Sequence, residues 1–327
     1  SGAGRFTHSS NTAVPTTGTI SSIFRLDVSA ASRTFAVRTY GGQVECYSSS
    51  TVSTRNCNTS AGTYTFSGNL YLIADGTQNV QFIANVSNPT MNIAGDVDFT
   101  GTGSGTEVIA AGSANTWTVS GNTDFTGGTF TTGSSTWTMD GTSKTLTSAA
   151  QTMYNLTIAG TVTVNDSFTL THLLTVNDAK TLTLASGATL MMDYSVGGAA
   201  LSLSTTGTVT GAGRLTIKNS AGAAITTSGT ISSILRLDVS GGTNSFPVRT
   251  YSGPVECYSN TISARVCRIG TAGSQTVTFS SDATVIADGT TGPQFNAVTW
   301  NNVTNITGNL SCIKNSSGTT SVITGTV

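Results

Sequence analysis

The sequence predicts an all-β protein whose centre is a β-solenoid and whose flanks are two homologous β-rich copies. Three observations carry that prediction. Residues 18–48, GTISSIFRLDVSAASRTFAVRTYGGQVECYS, return without a gap at 229–259 as GTISSILRLDVSGGTNSFPVRTYSGPVECYS. Between the copies lies a train of apolar–Thr–apolar steps: Leu156-Thr157-Ile158, Val162-Thr163-Val164, Phe168-Thr169-Leu170, Leu174-Thr175-Val176, Leu182-Thr183-Leu184 and Ala188-Thr189-Leu190. Nowhere does apolar spacing follow i, i+3, i+4 over eleven residues, so essentially no helix is expected.

The duplication reaches beyond its core. Arg5 matches Arg214, Asp75-Gly76 matches Asp288-Gly289, and Gly95 matches Gly308. The chain therefore divides as copy A at 1–112, a regular centre at 113–210, and copy A′ at 211–327. Long self-similarity marks array and solenoid proteins.

Within copy A the strands follow from alternation. Ser22–Val28 places Ile23, Phe24, Leu26 and Val28 as its apolar set. Thr34–Tyr40 reads as a second strand, with Phe35 and Val37 on one side. Val44–Tyr47 carries the first cysteine, and a Ser/Thr-rich loop leads to Cys57. Tyr64–Phe66 and Leu70–Ala74 follow, closed by the turn signal Asp75-Gly76. Gln81–Val86 and Met91–Ile93 continue the pattern. In the centre, Trp117 and Trp137 stand in matching contexts, NTWTV and STWTM. A two-residue alternation puts the residues flanking each Thr on one face. Three or four steps per turn make coils of about 20 residues, and stacking them buries an inner column with Thr outward.

The run from Trp137 to Leu190 resembles repeats in secreted bacterial and archaeal β-helix proteins: autotransporter passengers, filamentous adhesins and cell-surface repeat proteins. The resemblance implies a right-handed parallel β-helix there and no particular ligand. Copies A and A′ depart from it, since their spacing is less regular and their cysteine loops have no counterpart in the pattern. They are either wider coils with excursions or separate β-sandwich modules.

Composition narrows the function. Only 9% of residues are charged and the net charge is −1, against roughly 25% charged in ordinary domains. No basic cluster offers a nucleic-acid face, and no apolar run is long enough for a membrane helix. Five prolines and regular alternation argue against disorder. Cys46 with Cys57 and Cys257 with Cys267 recur as local pairs, which points to two disulfides and an oxidising, extracellular setting. Zinc is disfavoured: CxxC spacing is absent and the histidines are His8 and His172. Cys312 aligns with Phe99 and is expected to be a buried apolar substitution, the alternative being a bond to another subunit. Eight sequons, at Asn58, Asn85, Asn155, Asn165, Asn302, Asn305, Asn309 and Asn315, are candidate glycosylation sites.

No residue set rises to a catalytic centre, and the chain is expected not to be an enzyme. Arg25 and Asp27 share a strand face, as do Arg236 and Asp238; Arg38 and Glu45 recur as Arg249 and Glu256. Their duplication favours structural ion pairing over catalysis. Asp96 and Asp98 have the spacing to be weighed as a glycosidase carboxylate pair, but copy A′ places Asn309 and Ser311 there. Asp166 and Asp178 close repeated Val-Asn-Asp turns; calcium is one reading, and the fit of Asn-Asp to a tight corner is the favoured one. The Ca²⁺-binding nonapeptide of the RTX type is absent. Gly101–Gly105 lacks the Lys and the helix of a nucleotide loop. Trp117, Trp137 and Trp300 read as core or ladder residues. No cofactor is expected.

The expected role is a structural subunit of an extracellular filament or cell-surface fibre. Neither end of the sequence carries an evident cap, and open sheet ends are usually blunted; copies of the chain are expected to join head to tail through them. A monomeric surface adhesin or carbohydrate-binding protein is the alternative, and a β-helix polysaccharide lyase or glycosidase the third.

Overall fold

The structure is a computed structural model that describes residues 4–10, 14, 18, 20–84, 87–193, 200–218, 225–247, 249–263, 265–269, 276–290, 293–296, 303–315 and 322–324. These residues contain no helix, and every pairing between described strands is parallel. The chain forms two compact units, 1–168 and 169–327.

In the first unit the coils from Ile23 to Thr131 run through three sheets. The first stacks Arg5–His8, Ile23–Asp27, Val44–Ser48, Leu70–Ala74 and Val97–Phe99. The second stacks Thr39–Tyr40, Thr63–Phe66, Thr90–Ile93, Thr116–Val119, Thr136–Met139 and Thr152–Ile158. The third stacks Arg33–Thr34, Arg55–Asn58, Val80–Ile83, Glu107–Ala110 and Thr129–Thr131. The second unit repeats this plan. Its strands Ile234–Asp238, Val255–Ser259, Ala283–Ala287 and Leu310–Lys314 form one parallel ladder, and Asn244–Phe246, Arg265–Ile269 and Pro293–Asn296 another. Copies A and A′ are therefore coils of a parallel solenoid, and the sandwich alternative, which needs antiparallel sheets, is excluded.

Coil length exceeds the expected 20 residues in copy A. The Asn69 side chain accepts from the Asp96 amide 27 residues on, whereas Ser148 reaches Asp166 over 18. The first coil, Phe24 to Val44, keeps to about 20 residues although it too has a third-sheet strand, and the longer coils follow it, Val44 to Leu70 and Leu70 to Val97. The strand expected over Thr34–Tyr40 is broken: Arg33–Thr34 and Thr39–Tyr40 belong to different sheets, with a corner between them. Phe35 is buried and Val37 exposed as a result.

Alternation sets the core. Phe24, Leu26, Val44, Cys46, Leu70, Leu72 and Val97 point inward and are fully buried. At the centre the Trp117 and Trp137 rings stack at 5.1 Å and 19°, and the Trp137 edge meets Phe125 and Phe130, each at 5.4 Å. Such pairs add about 0.5–1.5 kcal/mol beyond their burial. The Trp117 indole N–H donates to Asn115, but Ser135 occupies the matching position one coil on and the Trp137 N–H has no protein partner.

Corners are held by side chains that replace the missing ladder bonds. Asn69 accepts from the Asp96 amide, Asp96 from the Asn122 amide at 2.6 Å, and Asn122 from the Thr145 amide. Beside this staircase the backbones approach closely. A Cβ on Gly121 would lie 2.3 Å from the carbonyl carbon of Gly95, so only glycine fits.

Candidate functional site

The duplicated charges lie on outward strand faces, in copy A on the first sheet and in copy A′ on the ladder of Ile234–Asp238 and Val255–Ser259. Ladder register sets Arg25 beside Glu45, and Arg236 beside Glu256. Arg25 Nε donates to Glu45 at 2.6 Å, and Arg236 Nε to Glu256 at 2.6 Å. The partner of each arginine is thus on the next coil, not the Asp two residues along its own strand. Asp27 and Asp238 instead accept from the amides of Ser29 and Ser240. A third member, which sequence reading matched only as part of the duplication, completes each group: Arg5 reaches Glu45 at 3.1 Å and Arg214 reaches Glu256 at 3.0 Å. The Arg25 guanidinium also lies over the Tyr47 ring at 3.9 Å and that of Arg236 over Tyr258 at 4.4 Å. Gln43 adds a donor to Glu45 at 2.8 Å.

Arg38 and Arg249 do not join these groups. Arg38 donates to the Gly18 carbonyl and lies over Tyr40; Arg249 lies over Tyr251. The two tyrosines are buried and donate to the carbonyls of Ala36 and Pro247. Burial raises both phenols above their usual range, and it lowers the Arg249 guanidinium.

The carboxylates divide by use. Asp96 is part of the corner staircase. Asp98 accepts from its neighbouring Phe99 amide, and its carboxyl is raised by burial, with the charges of Asp124 and Asp96 adding to the effect. That arrangement retains a proton to higher pH but gathers no aromatic platform. Asp166 accepts from Ser148 and Ala149 through both oxygens, and Asp178 accepts from Thr206. These hydrogen bonds hold Asp178 below the usual carboxylate range. Both aspartates serve corners. Among the described residues, no group of three or more His, Cys, Asp and Glu side chains is placed to hold a metal ion. Glu107, which the sequence did not single out, is buried and accepts from the amides of Ala74 and Gly101, anchoring the 101–105 loop.

Cys46 bonds to Cys57 and Cys257 to Cys267, each bridge crossing the interior of one coil with both sulfurs buried. Cys312 is free and exposed, contrary to the buried position expected. Its column, Cys257–Val285–Cys312, points inward, but Leu310–Lys314 is the last strand of that ladder among the described residues, and no described strand pairs with its outer edge. Of the sequons, Asn165, Asn305, Asn309 and Asn315 are exposed, and Asn58 and Asn155 are half-buried in strands. Asn85 and Asn302 lie outside the described residues, as does Trp300.

No protein family matches this chain. Neither a characterised protein nor a solved structure does.

Proposed function

We propose that this chain is a structural subunit of an extracellular filament or cell-surface fibre, extended by stacking the Leu310–Lys314 coil of one copy on the Arg5–His8 coil of the next. The supporting observation is a comparison of equivalent positions within the chain. Val97 and Leu310 are repeat-equivalent, as are Leu215 and Phe6. Val97 and Leu215, each covered by neighbouring coils, are 0% exposed, whereas Leu310 is 38% and Phe6 48% exposed. Covering both removes apolar surface from water at about 25 cal/mol per Å² and pairs the edges of strands that are outermost in their sheets among the described residues. A contact between two different ends is heterologous and propagates.

The two buried disulfides fit an oxidising location, and the same Arg–Glu–Arg group recurs in both copies. The test is electron microscopy and light scattering of the full chain over a range of concentrations, beside Phe6→Lys and Leu310→Lys. Filaments from the parent, and their loss in either variant with unchanged circular dichroism, support the reading. A parent that stays monomeric at every concentration overturns it.

A further inference from the structure

The second sheet of the first unit presents a face unlike the others. Its outward positions form two ranks. One runs Thr63, Thr90, Thr116, Thr136, Asn155; the other runs Thr65, Asn92, Thr118, Thr138, Thr157. Neither rank contains a charged residue or an aromatic ring. The first sheet, by contrast, carries Arg25, Asp27, Glu45 and Asp98 at its outward positions. Register is unbroken over the five coils, so the ranks are straight columns. Parallel strands lie about 4.8 Å apart and alternate residues about 6.6 Å apart along a strand, which makes the ten positions a rectangular grid.

The hydroxyls of Thr63, Thr65, Thr90, Thr116, Thr118, Thr138 and Thr157 make no hydrogen bond to the described residues; only Thr136 is engaged, by Asn155 at 3.1 Å. β-Propensity accounts for Thr in strands, but a ladder does not need these hydroxyls idle. Each is a donor and an acceptor beside a methyl group, on a side chain with few rotamers. Inward packing fixes the grid from beneath through Tyr64, Met91, Trp117, Trp137 and Leu156, all 0–1% exposed. A shallow groove of about 240 Å³ borders the second rank, lined by Thr65, Asn92, Thr118, Ser120 and Asp140, and its one charge is at the margin.

A ligand matched to this face repeats in two dimensions, is uncharged, and both donates and accepts at every point. We infer that the face binds the surface of ice. The repeat along the ranks is near the shorter oxygen repeat on a prism face of hexagonal ice, and the repeat between the ranks is somewhat below the longer one. The hydroxyls join that lattice while the methyls sit among ordered waters whose release or retention costs little. A crystalline polysaccharide offers a similar periodicity, but its sugar rings call for the aromatic platforms that both ranks lack. The inference is independent of the fibre reading, because a monomer suffices for it.

The test uses the full chain with its disulfides intact. Partition of the protein into a slowly grown ice front, and inhibition of ice recrystallisation, are measured for the parent, for Thr118→Lys at the centre of the grid, and for Gln81→Lys on the third sheet. Circular dichroism and melting confirm that each is folded; Thr138→Lys serves if Thr118→Lys is not. The parent and Gln81→Lys should enter ice and slow recrystallisation, and Thr118→Lys should lose at least about tenfold in activity. A parent excluded from ice like an inert protein of its size overturns the inference. So does a grid variant with undiminished activity, and so does retention on microcrystalline cellulose or chitin without any effect on ice.

Discussion

Arg25 donates to Glu45 across one coil step at 2.6 Å, and the Glu45 side chain is only 2% exposed. A carboxylate that deep is tolerable because two guanidiniums, Arg25 and Arg5, and the Gln43 amide surround it. Glu256 repeats the arrangement at 14% exposure.

Removing the shared acceptor strands two cations at once. Glu45→Ala should cost about 3 kcal/mol, and the more solvated Glu256→Ala about 1–2 kcal/mol. Urea denaturation of each variant measures this, and a double-mutant cycle with Arg25→Ala should show coupling. A cost for Glu45→Ala within a few tenths of that for a surface control would mean that the group contributes nothing.

The disulfides should resist reductant in the folded state, since all four sulfurs lie in the coil interiors. Thiol release in dithiothreitol, followed by mass spectrometry, should track unfolding rather than reductant concentration. Replacing Cys46 and Cys57 together by Ser should lower stability by roughly 2–4 kcal/mol. Rapid reduction without loss of circular dichroism would contradict the burial described.

Asn115 joins two buried groups: it donates to the Ala84 carbonyl at 2.6 Å and accepts from the Trp117 indole at 2.9 Å. Asn115→Ala leaves both without partners and should cost about 2–3 kcal/mol. Tryptophan fluorescence should shift with it. Ser135→Ala, at the next coil, should be milder: it gives up a hydroxyl donated at 2.7 Å to the Thr132 carbonyl, which keeps the Ser135 amide as a donor, and the Trp137 N–H has no partner among the described residues to lose.

Asp98 gives a pH signature of definite sign. Its folded-state carboxyl is raised by burial, so the ionised form opposes folding at neutral pH and the opposition fades as pH falls through the folded value. Asp98→Asn should therefore raise the melting temperature at pH 7, with the gain shrinking towards pH 4. An equal gain at both pH values would rule out this origin.

At the alkaline end Tyr40 and Tyr251 act together. Burial raises both phenols above the unfolded value of 10.0. The folded state holds those protons more tightly, so stability is full below that value and declines as pH rises beyond it. Tyr40→Phe should flatten the decline seen above about pH 10. Ultraviolet titration of phenolate should show the two ionising only with unfolding.

Local chemistry made much of this protein legible in the sequence. Alternation of Leu, Val, Ile and Phe with Thr named the strands and their inward faces, because side-chain direction in a strand depends only on parity. Duplication named Arg25, Asp27, Arg38 and Glu45 with their counterparts Arg236, Asp238, Arg249 and Glu256 as recurring charges, and it paired the cysteines, because a short loop leaves each one neighbour. Tertiary structure alone decided which strands neighbour one another. That choice made Glu45, not Asp27, the partner of Arg25, brought in Arg5 from two coils away, and divided Thr34–Tyr40 between two sheets. It also aligned Thr63 with Thr90, Thr116 and Thr136 in one rank and left Cys312 exposed at an inward position. The physical reason is register. A coil's length sets which residue comes to lie above which, and that length is the sum of corners and excursions whose conformations depend on the coils already stacked beneath them.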